Sequence, residues 1–503
     1  MNLATIVEPH PAADVALRHG GVDVTYGELR SRVAATRQVL HTEVEPGHVV
    51  ALILPATPDF VVAYLAVLGL GAVAAPLNPE SPISELEREL ATIRANVVMV
   101  GSPTRSLVEA LGYPVRDCAQ SEAASVTSAT PSAQPVAVPV AVPIAERGAD
   151  DLAVLLFTSG TAGSPKAAML THGSLLANID QMELAVGLAA TRDDTGLLVV
   201  PPFHIYGLNA VLGLHLFAGG RLVMMERFVA ADLLEIVEKE RVTILPGVPQ
   251  LFAALLAHGG ASGSELSSLR LACSGAAPLP LEVSEAFEAK FGVQIWQAYG
   301  LTEASPTVTF PDLDADRHPL SAGAPLPGIE LTIVDPDGDP VEHGDPGEVL
   351  VRGPNVFSGY FEDPTATKLA IDAAGWLHTG DVAVMDDAGS ITIVDRNKDL
   401  IIVSGFNVFP AEVEHVLEES PAVDEAAVVG VPDSLLGESV RAFVVPKTEA
   451  WPDGANAPGG VSESELIEHC ALRLARYKCP SSVVFVRELP HGIQGKALRR
   501  ALA

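Results

Sequence analysis

A chain of 503 residues exceeds one ordinary domain and is long enough to bury at least one large core. Its composition, 48% hydrophobic and 19% charged with 43 Gly and 39 Pro, is that of a globular protein with many turns. A formal net charge of −32 excludes a general electrostatic affinity for nucleic acid or an anionic membrane surface, and leaves room only for a local basic patch.

Four cysteines, Cys118, Cys273, Cys470 and Cys479, show no C-x-x-C or zinc spacing, which argues against a metal site or a disulfide framework. The start, Met1 to His10, has no basic stretch followed by an apolar core, so no signal peptide is expected. No run of about 20 residues is apolar enough to span a bilayer. The expectation is a cytoplasmic protein without a transmembrane segment; oligomeric state stays open.

In chain order, Val22–Thr25 reads as a short strand leading into Thr25-Tyr-Gly-Glu28, whose capping-box spacing predicts a helix to about Leu40. Val49–Leu54 predicts a buried strand and Asp59–Leu68 a helix. Gly69-Leu-Gly-Ala-Val-Ala74 matches the dinucleotide fingerprint G-x-G-x-x-A. That fingerprint must follow a strand and open a helix, whereas this copy follows a helical pattern, so its glycines are read as a helix end. Residues 119–149, rich in Ala, Val, Pro and Ser, read as an extended connector.

Leu152–Phe157 then predicts a short buried strand entering Thr158-Ser-Gly-Thr-Ala-Gly-Ser-Pro-Lys166. Glycines let backbone N–H groups approach a phosphate, hydroxyls add donors, and a lysine adds a point charge, so this is polyphosphate-cradle chemistry. The bland alternative is a Ser/Thr/Gly surface loop. It is not the ordinary P-loop, because Pro165 stands where that motif needs Gly before Lys.

Leu197–Val200 leads to Pro201-Pro-Phe-His-Ile-Tyr-Gly-Leu208, a strand end carrying His204 and Tyr206 where α/β proteins place ligand-contacting groups. Strands at Val242–Leu245, Leu269–Cys273 and Val293–Trp296 end in Pro246-Gly-Val-Pro249, Ser274-Gly-Ala-Ala-Pro278 and Gln297-Ala-Tyr-Gly-Leu-Thr-Glu303. Residues 329–335 and 347–352 predict strands of a β-rich piece. Asp381, in Trp376-Leu-His-Thr-Gly-Asp381, reads by local rules as a turn former. Beyond Ile401 the pattern is α+β, with strands at Ala426–Gly430 and Arg441–Val445, helices at Ala411–Glu419 and Ser462–Ala475, and a surface loop Trp451–Gly460. The chain closes on Leu489-Pro-His-Gly-Ile-Gln-Gly-Lys-Ala-Leu-Arg-Arg500.

Together the phosphate-loop segment, Tyr-Gly-Leu-Thr-Glu, Thr-Gly-Asp, Asp-Arg-Asn-Lys-Asp399 and Gly-Lys496 resemble, in order and spacing from about residue 22 to 500, the acyl-adenylate-forming superfamily of acyl-CoA synthetases, adenylation domains and beetle luciferases. The resemblance implies an α/β fold with an α+β C-terminal domain. A large N-terminal domain of stacked βαβ sheets plus a small β-rich subdomain is expected over residues 1–394, a hinge over 395–400, and a small mobile C-terminal domain over 401–503.

The same resemblance implies roles. Thr158, Ser159, Gly160, Thr161, Gly163 and Lys166 would hold the phosphates of ATP, and Gly275, Ala276, Ala277 and Pro278 would face adenine. In the segment Gln297, Ala298, Tyr299, Gly300, Tyr299 would stack on the base; Thr302 would reach the α-phosphate and Glu303 would hold Mg²⁺. Asp381 and Arg396 would contact ribose, Lys398 would be the pivot, Gly405 would meet the thiol tunnel, and Lys496 would be the catalytic lysine. His204, Tyr206, Gly207 and Val248 would line the acyl pocket, with Asn209 near them. Adenylation domains for amino acids usually carry Asp where His204 stands, so an uncharged acyl group is implied. Departures are Ala162, Ala167, Asp395 and His491-Gly492; Ala162 removes one hydroxyl donor.

The implied activity is ATP- and Mg²⁺-dependent formation of acyl-AMP, followed by a thioester with coenzyme A, with a medium- or long-chain fatty acid as the leading substrate. Alternatives are an acyl-AMP ligase loading an acyl carrier protein, an aryl-acid CoA ligase, luciferase-type oxygenation, and a non-catalytic nucleotide binder. Retention of Lys166, Glu303, Asp381 and Lys496 together weighs against the last.

Overall fold

The computed structural model describes residues 1–101, 104–117, 142–159, 165–258, 263–314, 318, 320–396, 401–408, 410–447, 461–490 and 502. Among these, the strands form five sheets.

Two parallel sheets carry the bulk of the chain. The first runs Val115–Asp117, Val97–Val100, Val49–Ile53, Val73–Pro76, Leu152–Ser159 and Pro165–Thr171, parallel except at the last pair. Val49–Ile53 is buried at all five positions, as expected of a strand covered on both faces. The second runs Ile295–Gln297, Leu271–Ser274, Ile244–Gly247, Thr195–Leu198, Arg221–Met224, Val15–His19 and Val22–Thr25, again parallel except at the final hairpin. The all-buried helix face of Pro58–Gly69 belongs to the same large core as Leu17, Leu52, Leu156 and Ile179.

Local signals set several boundaries. The Thr25 hydroxyl accepts from Glu28 N, the Glu28 carboxylate accepts from Thr25 N at 2.8 Å, and helix Tyr26–Leu40 follows. The helix Pro58–Gly69 ends at Gly69, Gly71 takes φ +70°, and the strand Val73–Pro76 begins; the glycines close a helix and open none. Most of the 119–149 connector lies outside the described residues. Its last part is pinned to the core, with Ala145 N donating to Gly69 O at 2.8 Å and Arg37 Nε to Val142 O.

The β-rich piece is an antiparallel sheet of Glu330–Val334, Pro346–Arg352, Leu377–Met385 and Ile391–Arg396. Here the local turn rule gives way to strand pairing. Asp381 lies within the nine-residue strand Leu377–Met385, opposite Arg396, not in a turn. Gly380 at φ +69° and a register shift after Val382 bend the strand locally without ending it.

The C-terminal part packs the helices Pro410–Glu418 and Glu463–Ala471 onto a sheet built around the hairpin Val423–Asp433 and Gly437–Pro446, with its own core of Val413, Val428, Val444 and Leu466. Both strands are longer than the sequence pattern predicts, and the second helix is shorter. The loop Trp451–Gly460 lies outside the described residues.

This part docks on the helix Ile83–Thr92 of the large domain. Ser84 Oγ donates to Leu472 O at 2.9 Å, Arg88 to Arg473 O at 3.0 Å, and Ala475 N to Glu85 Oε2 at 2.7 Å. At the centre the Lys478 ammonium lies between Glu85 and Glu412, 3.0 Å from Glu412 Oε1, and all three side chains are buried. Glu89 is buried beside them, and Oε2 of both Glu89 and Glu412 has no hydrogen-bond partner among the described residues.

Candidate active site

A cavity of about 520 Å³ opens where several parallel strands end. Its wall takes Pro76 and Asn78 from the end of Val73–Pro76, Thr158 from Leu152–Ser159, His204 from the loop after Thr195–Leu198, Gly275 and Ala276 after Leu271–Ser274, and Ala298 and Tyr299 after Ile295–Gln297. The crevice outside the carboxyl ends of the strands is where open α/β sheets bind ligands. Sequence order scatters these residues; sheet topology gathers them.

The antiparallel pair Leu152–Ser159 and Pro165–Thr171 sets Thr158 opposite Lys166 in register. Both line the cavity, and the Lys166 ammonium stands 5.2 Å from the centre of the Tyr360 ring. Gly160, Thr161 and Gly163 lie outside the described residues, and Ser159 is described only as the end of its strand.

After Ser274 the chain turns tightly: Ala276 takes φ +68°, and a Cβ on Gly275 would lie 3.2 Å from the Tyr206 ring. The small residues therefore permit a close approach here. Ala277 and Pro278 belong to the connection to the helix Leu281–Phe291 and do not line the cavity. The Gln297 amide is taken up by the scaffold, accepting from Leu279 N at 2.6 Å and donating to Leu320 O at 3.3 Å. Tyr299 is buried and donates its hydroxyl to Asp381 Oδ2 at 2.8 Å. A base in the cavity would meet a ring already held in place, and a ribose would meet a carboxylate, a group with two acceptor oxygens. Gly300 is packed so closely on Pro306 O that a Cβ would be 2.3 Å away.

Thr302 and Glu303 open a short 3-10 turn at the cavity wall. Glu303 Oε1 accepts a 2.6 Å hydrogen bond from the Tyr360 hydroxyl. Burial, reinforced by the Glu303 charge, raises the Tyr360 phenol far above its ordinary value, so it stays a donor. Among the described residues no group of three or more His, Cys, Asp or Glu could hold a metal. A single carboxylate beside Lys166 in this cavity does fit Mg²⁺, which binds through one or two carboxylates plus substrate phosphates.

On the acyl side, the His204 ring accepts from Tyr206 N at 3.2 Å, and burial pushes its pKa down to about 4, leaving a neutral imidazole at pH 7. The Tyr206 hydroxyl donates to Cys273 O at 3.1 Å, fixing the ring across the inner wall. Gly207 sits elsewhere: a Cβ there would meet the carbonyl oxygens of Val200 and Pro201 at 2.4 Å, and it lines neither cavity. Asn209 is fully buried and donates to Leu175 O and Ser305 O, a scaffold role.

A second cavity of about 1350 Å³ lies between the large and C-terminal parts, lined by Val248, Gly405, Arg32, Arg227 and Arg476. Gly405 has φ +84°, and a Cβ there would be 2.5 Å from Val248 Cγ1. The neighbouring Phe406 ring stacks between Phe203 and Tyr477, at 6.4 and 4.5 Å. Phe203, His204, Ala276, Phe406 and Tyr477 line both cavities. Arg396 is described only in its strand; Lys398 and Lys496 lie outside the described residues. The sequence reading missed Tyr360 and the Glu85–Glu89–Glu412–Lys478 cluster, since nothing local marks either.

A crevice at parallel strand ends, walled by Lys166, Glu303, Asp381 and small turn residues and facing a smaller domain, is a ligand site of the open α/β kind. The sequence matches the model of the AMP-binding enzyme over residues 3–361 and that of the AMP-binding enzyme C-terminal domain over residues 412–496. The chain belongs to the AMP-binding enzyme family, as an acid–CoA ligase. It is 37% identical to a feruloyl-CoA synthase of Amycolatopsis sp, covering 98% of this chain and 95% of that one, and 34% identical to a long-chain-fatty-acid–CoA ligase of Bacillus subtilis, covering 91% and 85%. A double mutant of o-succinylbenzoate CoA synthetase from Bacillus subtilis, solved with a product analogue, superposes with a TM-score of 0.86 at 29% identity, covering 100% of this chain and 97% of that one. ATP and CoA are substrates of this family, and among the described residues no helix is long and apolar enough to cross a membrane.

Proposed function

We propose that the chain joins a compact, ring-containing carboxylic acid to coenzyme A in two steps. The carboxylate oxygen attacks the α-phosphorus of ATP and pyrophosphate leaves; the CoA sulfur then attacks the acyl carbon, AMP leaves, and the thiol proton is released. A carboxylate is already ionised at pH 7, so the first step needs positioning and charge stabilisation, not a base. Lys166, Thr158 and Thr302 face the phosphates, Asp381 the ribose, and the turn at Gly275 the base. Glu303 would hold Mg²⁺, which supplies charge neutralisation on the phosphates when bound. Lys496 is assigned the transition-state contact by resemblance alone.

The observation that carries this reading is the shared wall of the two cavities. A thiol entering between the domains past Gly405 meets the wall shared by the two cavities at Phe203, His204 and Ala276. Arg32, Arg227 and Arg476 line the second cavity beside Asp59, Glu80 and Glu226, with Arg32 paired to Asp59 and Arg227 to Glu80, so among the described residues Arg476 is the arginine left to meet a phosphorylated carrier.

Acid size follows from Tyr206. Its ring, tied to Cys273 O and lying against Gly275, takes up part of the wall of a cavity of about 520 Å³ that nucleotide and acyl group must share. A feruloyl-CoA synthase among the relatives fits a compact acid. The fatty-acid reading is favoured by the long-chain ligase at 34% identity and requires Tyr206 to swing aside. Competition between hydroxycinnamic, benzoic and C8–C16 fatty acids separates the two. The compact acid should give the highest kcat/KM, and Tyr206→Ala should shift preference toward longer acids; wild-type preference for a C16 acid would reject the size argument.

A further inference from the structure

We propose that Tyr360 is a positioning residue that sets Glu303 for a divalent cation and Lys166 for the phosphates, an inference that rests on the ATP-dependent reading above. The geometry comes from three elements. Strand Pro165–Thr171 brings Lys166; the turn Thr302–Ala304 brings Glu303; and the segment after Pro354 crosses both. That crossing is pinned by Phe357 N donating to Glu303 O, Ser358 N to Met169 O, Met169 N to Gly359 O, and Phe361 N to Ala167 O, at 2.8–2.9 Å. Gly359 at φ +120° allows the turn, because a Cβ there would meet the Thr367 side chain at 2.4 Å. Thr367 Oγ1 accepts from Tyr360 N at 2.9 Å, and the Tyr360 ring meets Phe357 edge-on at 5.0 Å.

The ring is therefore fixed in orientation by these contacts, and it presents two different handles. Its face lies under the Lys166 ammonium at 5.2 Å, and its hydroxyl holds Glu303 Oε1 at 2.6 Å while accepting from the Thr158 hydroxyl. One carboxylate oxygen is used and the other remains for a ligand in the cavity. Supporting groups of this kind fix the rotamer of a metal-binding side chain, and their loss typically costs about 10–100-fold in metal affinity. A purely structural tyrosine would leave metal dependence untouched.

The test uses the full chain and three readouts: Mn²⁺ binding to the ATP complex by electron paramagnetic resonance, ATP binding in EDTA by calorimetry, and the Mg²⁺ concentration giving half-maximal adenylate formation. Tyr360→Phe keeps the ring under Lys166 and should weaken Mn²⁺ and raise the half-maximal Mg²⁺ about 10–100-fold, with ATP binding in EDTA unchanged within about twofold. Tyr360→Leu should also weaken ATP binding in EDTA, through Lys166. In a Glu303→Gln background, Tyr360→Phe should add nothing to the metal defect. Wild-type metal dependence in Tyr360→Phe, equal losses with and without metal, or additive effects with Glu303→Gln would each overturn the proposal. A chain that binds ATP and Mn²⁺ yet activates no acid would defeat the functional reading and leave this test intact.

Discussion

Replacing Glu89 by Gln should remove a pH dependence from the docking of the C-terminal part. The docked interface buries three carboxylates, Glu85, Glu89 and Glu412, with one ammonium, Lys478, and the Arg88 guanidinium close by. Fully ionised, these groups sum to −1, counted as +2 for Arg88 and Lys478 against −3 for the carboxylates. Tyr477, raised by burial, and Cys479, pushed by burial up to about 11, stay neutral near pH 7, and Arg473 is engaged with Glu419. Burial, then the Glu85 charge, pushes Glu89 up to about 8, and burial raises Glu412 as well. The docked state therefore takes up about one proton.

The direction follows from that shift. A carboxyl whose pKa rises on docking, from an ordinary 4.5 to about 8, favours docking fully below 4.5 and loses that contribution as pH climbs through 8. Between those limits linkage gives about 1.4 kcal/mol per pH unit, so docking should weaken about 100-fold from pH 5.5 to 7.5. Energy transfer between dyes placed on the large and C-terminal parts reads the docked fraction. Wild type should show that slope and Glu89→Gln, which mimics the protonated form, should be flat. A flat wild type, or a Glu89→Gln variant that keeps the slope, would refute the one-proton account.

Two further outcomes are expected. Gly405→Ala places a Cβ 2.5 Å from Val248 Cγ1 at φ +84°, so thioester formation should fall more than adenylate formation in single-turnover assays; equal losses would separate Gly405 from the thiol route. Lys496→Ala should slow adenylate formation by roughly 10²–10³, the scale of one lost electrostatic stabiliser, and a near wild-type rate would remove Lys496 from the first step.

Much of the fold was legible because its signals are local. Thr25 and Glu28 cap each other within four residues, and Val49–Ile53 is apolar throughout because both faces are covered. Gly69 and Gly71 were separated from a nucleotide loop by the helical pattern before them. The local Gly-Asp rule does not describe Asp381, because pairing of Leu377–Met385 to both neighbours is tertiary and dominates. Tyr360 was invisible for a related reason: its partner Glu303 is 57 residues away. Glu85 and Glu89, one helical turn apart, look like a solvated face until residues 472–478 cover them. The family motifs could be read from order and spacing, but which side chains they would meet could not.

The central claim is tested most directly by incubating the chain with ATP, Mg²⁺ and a hydroxycinnamic acid, with and without CoA, and identifying products by mass spectrometry. The account predicts acyl-AMP and pyrophosphate without CoA, and acyl-CoA with AMP once CoA is added. Acyl-AMP that accumulates while CoA stays unconsumed would contradict it and point to a carrier-protein thiol as acceptor. Absence of adenylate from every acid tested would contradict the acid-activating chemistry itself.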